Sequence, residues 1–223
     1  MILLSYKKNM SATNKKKPTH QARLLKLFEI AESQQGFFTA KQAQEAGFTA
    51  TNHPYYVKQG IWTKEQRGIY RLKQYPHTNH MDLILYSLWS RDRSDRPQGV
   101  YSHETALTIH ELSDVMPSKL YMTVPPGFRK SAKTPKGLSL AYDVIDPADI
   151  ENRQGYRVTK PFRTILDLIK TNETSPEFIE QALVEAIHRG IITLAEFRSG
   201  PIPDSIRSNV ERALSKPARR GVA

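Results

Sequence analysis

The first third of the chain combines apolar positions at helical spacing with short β-prone runs. Leu24, Leu27, Phe28 and Ala31 recur every three or four residues, which predicts a first helix over residues 21–34. The apolar run that follows at 36–38 is too short for a helix and predicts an extended segment. The pattern therefore opens with a helix and then a short strand.

Two shorter helices are predicted next. Thr39 has a side chain suited to cap a helix over 40–45, and Gly47 fits the tight turn that ends it. Thr51 can cap a third helix over 52–59 in the same way. Two helices joined by a tight turn form a helix-turn-helix.

A β-hairpin is predicted directly after the third helix. Its strands cover 61–63 and 68–72, and the charged residues 64–67 form the tip between them. The order of helix, strand, helix, turn, helix and hairpin predicts a winged helix-turn-helix over residues 21–75, in which the hairpin is the wing.

Beyond a linker that contains Pro76, helical and β-prone segments alternate up to residue 215. Strands are predicted over 119–124, 138–145 and 156–159, and helices over 81–91, 103–112, 161–169, 176–189 and 204–215. A further short helix is predicted to begin after the capping box at 193–196. Ser102, Thr159, Ser175 and Thr193 are predicted to cap four of these helices. The fold class is therefore α/β (α+β): a winged helix-turn-helix followed by a mixed α/β C-terminal domain over residues 81–215.

Positive charge is concentrated in the first 80 residues. These hold 10 Lys and 3 Arg against 4 acids, whereas the rest of this chain of net charge +11 holds 20 basic against 18 acidic side chains. A basic module ahead of a nearly neutral one suggests that the first part binds a polyanion. Residues 1–20, with lysines at 7, 8 and 15–17, are predicted to form a flexible basic arm.

The composition excludes several classes of protein. Without cysteine there are no disulfides or thiolate metal sites, and the cytoplasm is the expected compartment. No run of about 18 apolar residues exists, so no membrane span is predicted. The basic charge is spread over helices and a hairpin rather than along one amphipathic helix, which argues against a membrane surface as the partner.

Double-stranded DNA is the polyanion that the winged helix fits best. An α-helix enters the major groove, and Lys and Arg contacts to phosphates release condensed counterions. His53, Tyr56 and Val57 share the face of the third helix that is predicted to pack inward. The side chains predicted to contact DNA are Thr51, Asn52, Tyr55, Lys58 and Gln59 on the third helix, Lys41 and Gln42 at the start of the second, and Lys64 and Arg67 on the wing. The amides of Asn52 and Gln59 suit adenine, and Tyr55 and Lys58 suit phosphate.

A winged helix can also dock a protein partner while its basic face is merely solvated. The sequence leaves that alternative open, because a fold does not by itself fix a function.

No catalytic residue, cofactor or metal is predicted. A restriction-type nuclease needs an acid two positions before a lysine, and neither Asp-x-Lys nor Glu-x-Lys occurs. Ser102, His103 and Glu104 are adjacent, whereas the partners of a hydrolase relay converge from separate segments. His77 and His80 would need a third ligand to hold a metal. No glycine-rich phosphate loop is present.

Several motifs, taken in order, resemble those of AbiEi-type antitoxins, the transcriptional-repressor half of bacterial abortive-infection (type IV) toxin–antitoxin pairs. In the first half these are residues 39–43 and 60–62, and the wing at 66–71. In the second half they are the helix start at 101–107, the strand at 119–125 and the later helix at 159–167. The resemblance covers the chain from Leu24 to Ile192.

The resemblance implies a winged-helix N-terminal domain that represses transcription by binding repeats upstream of its own operon. It also implies an α/β C-terminal domain that counteracts a nucleotidyltransferase-like toxin in the cytoplasm of a bacterium. In such systems the antitoxin need not bind the toxin stably, so a direct complex is not implied.

Overall fold

The N-terminal module follows the predicted order of elements. A computed structural model describes residues 19–77 and 81–215 of the chain, so residues 1–18 of the predicted arm and His80 lie outside the described residues. The last two residues of the predicted arm belong to the first helix, since Thr19 caps it and His20 begins it. The elements of the module are α1 (His20–Glu32), β1 (Phe37–Thr39), α2 (Ala40–Glu45), α3 (His53–Lys58), β2 (Trp62–Gln66) and β3 (Ile69–Leu72).

The three strands form an antiparallel sheet in the order β1-β3-β2. In its register Phe38 lies opposite Tyr70, and Trp62 lies opposite Leu72. The hairpin of β2 and β3 is therefore the wing, and its tip turns at Gly68, whose φ of 77° favours a residue without a Cβ. The predicted winged helix-turn-helix is confirmed.

The third helix begins later than predicted. A 3₁₀ turn, Ala50–Asn52, precedes it, and the backbone position of the cap is Asn52 without a side-chain capping bond. The prediction that Thr51 caps this helix is wrong, because its hydroxyl donates to Thr49 Oγ1 at 3.3 Å instead.

The C-terminal half contains a five-stranded mixed sheet in the order β6-β5-β4-β8-β7, with helices around it. The β4–β8 and β5–β6 pairs are parallel, and the β4–β5 and β7–β8 pairs are antiparallel. The elements are α4 (Met81–Trp89), β4 (Val100–Tyr101), α5 (His103–His110), β5 (Leu120–Val124), β6 (Leu138–Tyr142), β7 (Ile150–Arg153), β8 (Tyr156–Thr159), α6 (Pro161–Thr171), α7 (Pro176–His188), α8 (Leu194–Ser199) and α9 (Asp204–Leu214). The predicted mixed α/β character is confirmed, and β4 and β7 were not predicted.

Of the four predicted caps in this half, Thr193 forms the capping box with Glu196. Ser102, Thr159 and Ser175 make no side-chain capping bond. Their hydroxyls are used elsewhere: Ser102 pairs with Thr123 at 2.7 Å, Thr159 pairs with Thr164 at 2.6 Å, and Ser175 donates to Glu177 at 2.9 Å. These three capping predictions are therefore wrong.

The two halves share a hydrophobic core. Phe37 and Ile69 of the wing sheet lie in one buried cluster with Leu83, Ile84 and Leu88 of α4. A polar contact adds to it, since Arg91 Nη2 donates to Gln34 Oε1 at 2.7 Å. The division of the chain near residues 76–80 stays a prediction, and the apolar side chains on both sides of it pack together.

Candidate nucleic-acid interface

Helix α3 presents a polar face to solvent. Asn52, Tyr55, Lys58 and Gln59 are exposed, with Tyr55 at 58% of its full exposure. Their polar side-chain atoms have no hydrogen bond or ion pair within the described residues. Thr51, in the preceding turn, is exposed as well. The polar groups of the first four side chains are therefore free to meet an external partner, whereas the Thr51 hydroxyl is bonded to Thr49 Oγ1.

The opposite face of α3 is fixed by aromatic packing. His53 is 2% exposed, and its Nε2 lies 3.3 Å from the carbonyl oxygen of Phe48. Tyr56 stacks on Trp62 with ring centroids 4.7 Å apart, and Phe38 meets Trp62 edge-on at 4.9 Å. Such ring pairs stabilise beyond the area that they bury. The inward face predicted from His53, Tyr56 and Val57 packs as expected, and no polar group of the outer face is used to hold the helix.

The wing places two cations in solvent. Lys64 and Arg67 are exposed and form no ion pair within the described residues. Between them Glu65 turns back toward the sheet, where its Oε1 accepts from Arg71 Nε at 2.9 Å. Arg71 is 5% exposed and also donates to the carbonyl oxygen of Tyr75. The single acid of the wing is thus neutralised internally, which leaves the tip with net positive charge.

Gln42 is a correction to the predicted set. It is 8% exposed, and its Oε1 accepts from Thr39 N at 2.8 Å, while its amide pairs with that of Gln34 at 3.1 Å. Thr39 Oγ1 accepts from Gln42 N in return, so the two residues form a complete capping box at the start of α2. A side chain with these internal bonds does not reach DNA.

Lys41, the neighbouring predicted contact, remains exposed. Its Nζ donates to the carbonyl oxygen of Arg93 at 3.5 Å, which places the start of α2 beside the loop after α4. Thr39 adds a second contact to that loop, since its hydroxyl donates to Asp95 Oδ1 at 3.2 Å.

Sequence reasoning missed Glu65, Arg71 and Gln34, which shape the interface without facing solvent. A signal existed for the ion pair: an acid and a base flank a hairpin tip, where facing strands bring them together. No comparable signal marks Gln34, because its partners Gln42 and Arg91 are set by tertiary packing.

The Ser-His segment of the C-terminal half is buried. Ser102 is 0% exposed, and its Oγ lies 2.8 Å from His103 Nδ1. Burial lowers the pKa of His103, with Asp167 opposing the shift. Burial also raises the pKa of Asp167, against the effect of Arg163, whose Nε donates to it at 2.8 Å. A hydroxyl without solvent access is a poor nucleophile for an external substrate, so this cluster favours a structural role.

A groove on the C-terminal half has the wrong charge for DNA. It has a volume of about 750 Å³ and lies between α7, α9 and the segment after α5. Its rim carries five carboxylates, Glu111, Asp114, Glu177, Glu180 and Glu185. The negative charge of this groove repels phosphates.

Within residues 19–77 and 81–215, no cluster of three or more His, Asp or Glu side chains is arranged to hold a metal ion. Over the same ranges, no helix is long and apolar enough to span a membrane.

Residues 26–73 match the model of a protein family described as "Transcriptional regulator, AbiEi antitoxin". The matched segment runs from α1 to the wing and contains all nine residues of the predicted interface. The predicted resemblance is confirmed over this segment, and a regulator family of this kind is typically non-enzymatic. The C-terminal motifs at 101–107, 119–125 and 159–167 lie outside the match, and their resemblance stays a prediction.

No curated protein sequence matches the chain. Among solved structures, the chain is similar to the RV2827C protein from Mycobacterium tuberculosis, at 14% sequence identity over 87% of this chain and 82% of that chain, with a TM-score of 0.41.

Proposed function

We propose that this chain is a sequence-specific, DNA-binding transcriptional repressor that acts as the antitoxin of a type IV (abortive-infection) operon in the bacterial cytoplasm, without catalysis of its own. The observation that carries the proposal is the outer face of α3, where Asn52, Lys58 and Gln59 are exposed and make no internal polar contact. The family match over residues 26–73 supports the same reading.

The proposed interface divides into base-reading and phosphate-binding side chains. Asn52 and Gln59 have amides that can pair with adenine in the major groove, and Tyr55 and Thr51 lie beside them. Lys41, Lys58, Lys64 and Arg67 supply charge for the phosphates. If these four cations each neutralise one phosphate, log affinity falls with log salt at a slope of about −3.6.

The experiment is a binding titration on the DNA upstream of the chain's own gene and on random duplex, at two salt concentrations. Lys58→Ala is expected to weaken binding to both duplexes, since phosphates carry no sequence information. Asn52→Ala is expected to weaken binding to the upstream DNA more than to random duplex, by about 1–3 kcal/mol. Equal losses for both variants on both duplexes would refute this division of labour.

The antitoxin role is the second part of the proposal. The operator repeats are expected upstream of the chain's own operon, and the functional partner is expected to be a nucleotidyltransferase-like toxin encoded beside it. Expression of the neighbouring gene alone should arrest growth, and co-expression of this chain should restore it. Restoration without a stable complex on size exclusion is compatible with the proposal, whereas toxicity that the chain leaves unchanged would exclude the antitoxin role.

A second candidate function is supported by one observation. Helix α1 exposes Leu24, Leu25 and Phe28 at 40%, 60% and 46% of their full exposure. Neighbouring apolar side chains of this size suit a protein–protein contact. If the chain docks a protein through its winged helix and binds no DNA, Lys58→Ala changes nothing in the titration, whereas Leu25→Ser abolishes partner capture.

A further inference from the structure

A second basic surface lies on the C-terminal half, directly beside the start of α2. It consists of the loop after α4, residues 90–99, and the loop between β5 and β6, residues 125–137. The contact between Lys41 Nζ and the carbonyl oxygen of Arg93 joins this surface to the winged helix. The two basic regions are therefore continuous.

The two loops enclose adjoining clefts of about 420 Å³ and 590 Å³. Asp92, Arg93 and Arg129 line both of them, and Lys130 and Arg96 each line one. Arg93, Arg96, Arg129 and Lys130 are exposed. The clefts are open and rich in cationic side chains.

Internal ion pairs neutralise both acids of this region. Asp92 accepts from Arg96 Nε at 3.0 Å, and Asp95 accepts from Arg91 Nη1 at 2.9 Å. Arg93, Arg129 and Lys130 form no ion pair within the described residues, and neither does Lys41. Four positive charges thus remain without a counter-charge on one continuous surface.

Two of these cations are held in place by the backbone. Lys130 Nζ donates to the carbonyl oxygen of Arg91 at 2.6 Å and lies 6.0 Å from the centroid of the Trp89 ring. Arg129 Nη1 donates to the carbonyl oxygen of Phe128 at 2.9 Å. Side chains fixed in this way lose less conformational freedom when they bind an anion.

The chemistry of the surface favours a duplex backbone over a single strand. Proteins that bind single strands present exposed aromatic rings on which bases stack. Here Trp89 is 6% exposed and Phe128 is 9% exposed, so neither ring is offered. A surface that has exposed cations but no exposed aromatic rings suits the phosphates of double-stranded DNA.

We propose that Arg93, Arg129 and Lys130, which we name the flanking surface, bind phosphates of duplex DNA outside the segment that α3 contacts. This inference rests on the proposed function, since it presupposes that the winged helix binds DNA. It adds a sequence-independent contact by the C-terminal half, which lengthens the bound duplex beyond the reach of the wing and α3.

The test varies the length of the DNA. The footprint on the upstream region first locates the bound segment. Two duplexes are then centred on it, one of about 12 base pairs, slightly more than one helical turn, and one of about 30 base pairs. The double variant Arg93→Gln/Arg129→Gln is compared with the full-length native chain on both. Arg198→Gln/Arg212→Gln is the matched control, because it removes two exposed arginines of the helical region from the same chain.

On the longer duplex the Arg93→Gln/Arg129→Gln variant is expected to bind roughly 60-fold more weakly at 0.1 M salt, since each phosphate contact contributes about eightfold there. Its salt slope should be less steep by about 1.8. On the shorter duplex it should bind as the native chain does, and the control pair should match the native chain on both.

Equal losses on both duplexes, or no loss on the longer one, would overturn the flanking surface while leaving the winged-helix interface intact. If the native chain binds neither duplex, the proposed function itself fails, and that outcome is distinguishable from the others. Circular dichroism of each variant checks that the fold is retained.

Discussion

Helices α2 and α3 of the winged helix have the same length and similar polar content, yet they use their polar side chains in opposite ways. In α2, Gln42 is buried and bonded to Thr39 and Gln34. In α3, Gln59 is exposed and has no side-chain hydrogen bond within the described residues. Both glutamines were predicted to face DNA, and one of them is part of the internal structure.

The difference follows from how each helix is attached. Helix α3 is held by rings around Trp62, so its polar face is left for an external partner. Helix α2 is held partly by polar bonds that extend to the C-terminal half, through Thr39 to Asp95 and through Gln34 to Arg91. A helix that is packed by apolar side chains keeps its polar side chains available for an external partner. A helix that is held by side-chain hydrogen bonds has fewer polar side chains available.

The largest effect is expected from removing Trp62, around which the rings that hold α3 are packed. Trp62→Ala deletes a side chain that is 2% exposed and contacts the rings of Phe38, Phe48 and Tyr56. The free energy of unfolding is expected to fall by about 3–5 kcal/mol, as for other buried aromatic truncations. Urea denaturation followed by circular dichroism measures it. Ile61→Ala, at a neighbouring position that is 44% exposed, should cost far less, and equal costs would contradict the anchor role of Trp62.

The next effect concerns the wing, where an ion pair with Arg71 neutralises Glu65, the one acid of this hairpin. Glu65→Gln leaves Arg71, 5% exposed, without its counter-charge, and the free energy of unfolding should fall by about 2 kcal/mol. Affinity for random duplex should not fall, because the net positive charge of the wing rises. Glu45→Gln removes an exposed acid of α2 and is the control for stability. A loss of DNA affinity with unchanged stability would mean that Glu65 acts differently from this account.

The elements of the winged helix could be predicted because each has a local signal. The capping box of Thr39 and Gln42 and the strands around residues 64–67 are visible in the spacing of the sequence. The burial of the Gln42 amide against Gln34 could not be predicted, since Gln34 is in turn bonded by Arg91, which lies 57 positions further along the chain. The strand β4, of two residues, is likewise defined by its neighbours β5 and β8 rather than by its own pattern. The basic character of the loop between β5 and β6 is visible in the sequence, since residues 126–136 hold four basic side chains and no acid.

A matched pair within α2 tests the polar attachment directly. Gln42→Ala removes the acceptor for Thr39 N and the partner of the Gln34 amide, and should lower the free energy of unfolding by about 1.5 kcal/mol. Gln44→Ala, at an exposed position of the same helix, should change it by less than about 0.5 kcal/mol. Affinity for the upstream DNA should be unchanged in both variants. A loss of that affinity in Gln42→Ala but not in Gln44→Ala, under conditions where both variants are folded, would return Gln42 to the DNA-contacting set.

The smallest expected effect concerns Lys64 on the wing. Its replacement should change how DNA affinity depends on salt and should leave the stability of the protein unchanged. Lys64 is exposed and unpaired within the described residues, so Lys64→Ala should leave the free energy of unfolding unchanged within about 0.5 kcal/mol. If its ammonium group neutralises one phosphate, affinity should fall about eightfold at 0.1 M salt, near 1.2 kcal/mol, and the salt slope should become less steep by about 0.9. The loss should be equal on cognate and random duplex, because a phosphate contact reads no base. Lys26→Ala, which removes an exposed lysine that bonds the carbonyl oxygen of Glu45 on α2, is the matched control and should leave the slope at its native value. If Lys64→Ala also leaves the slope at its native value, Lys64 does not contact the DNA backbone, and Arg67 is the only cation of the described wing tip left to do so.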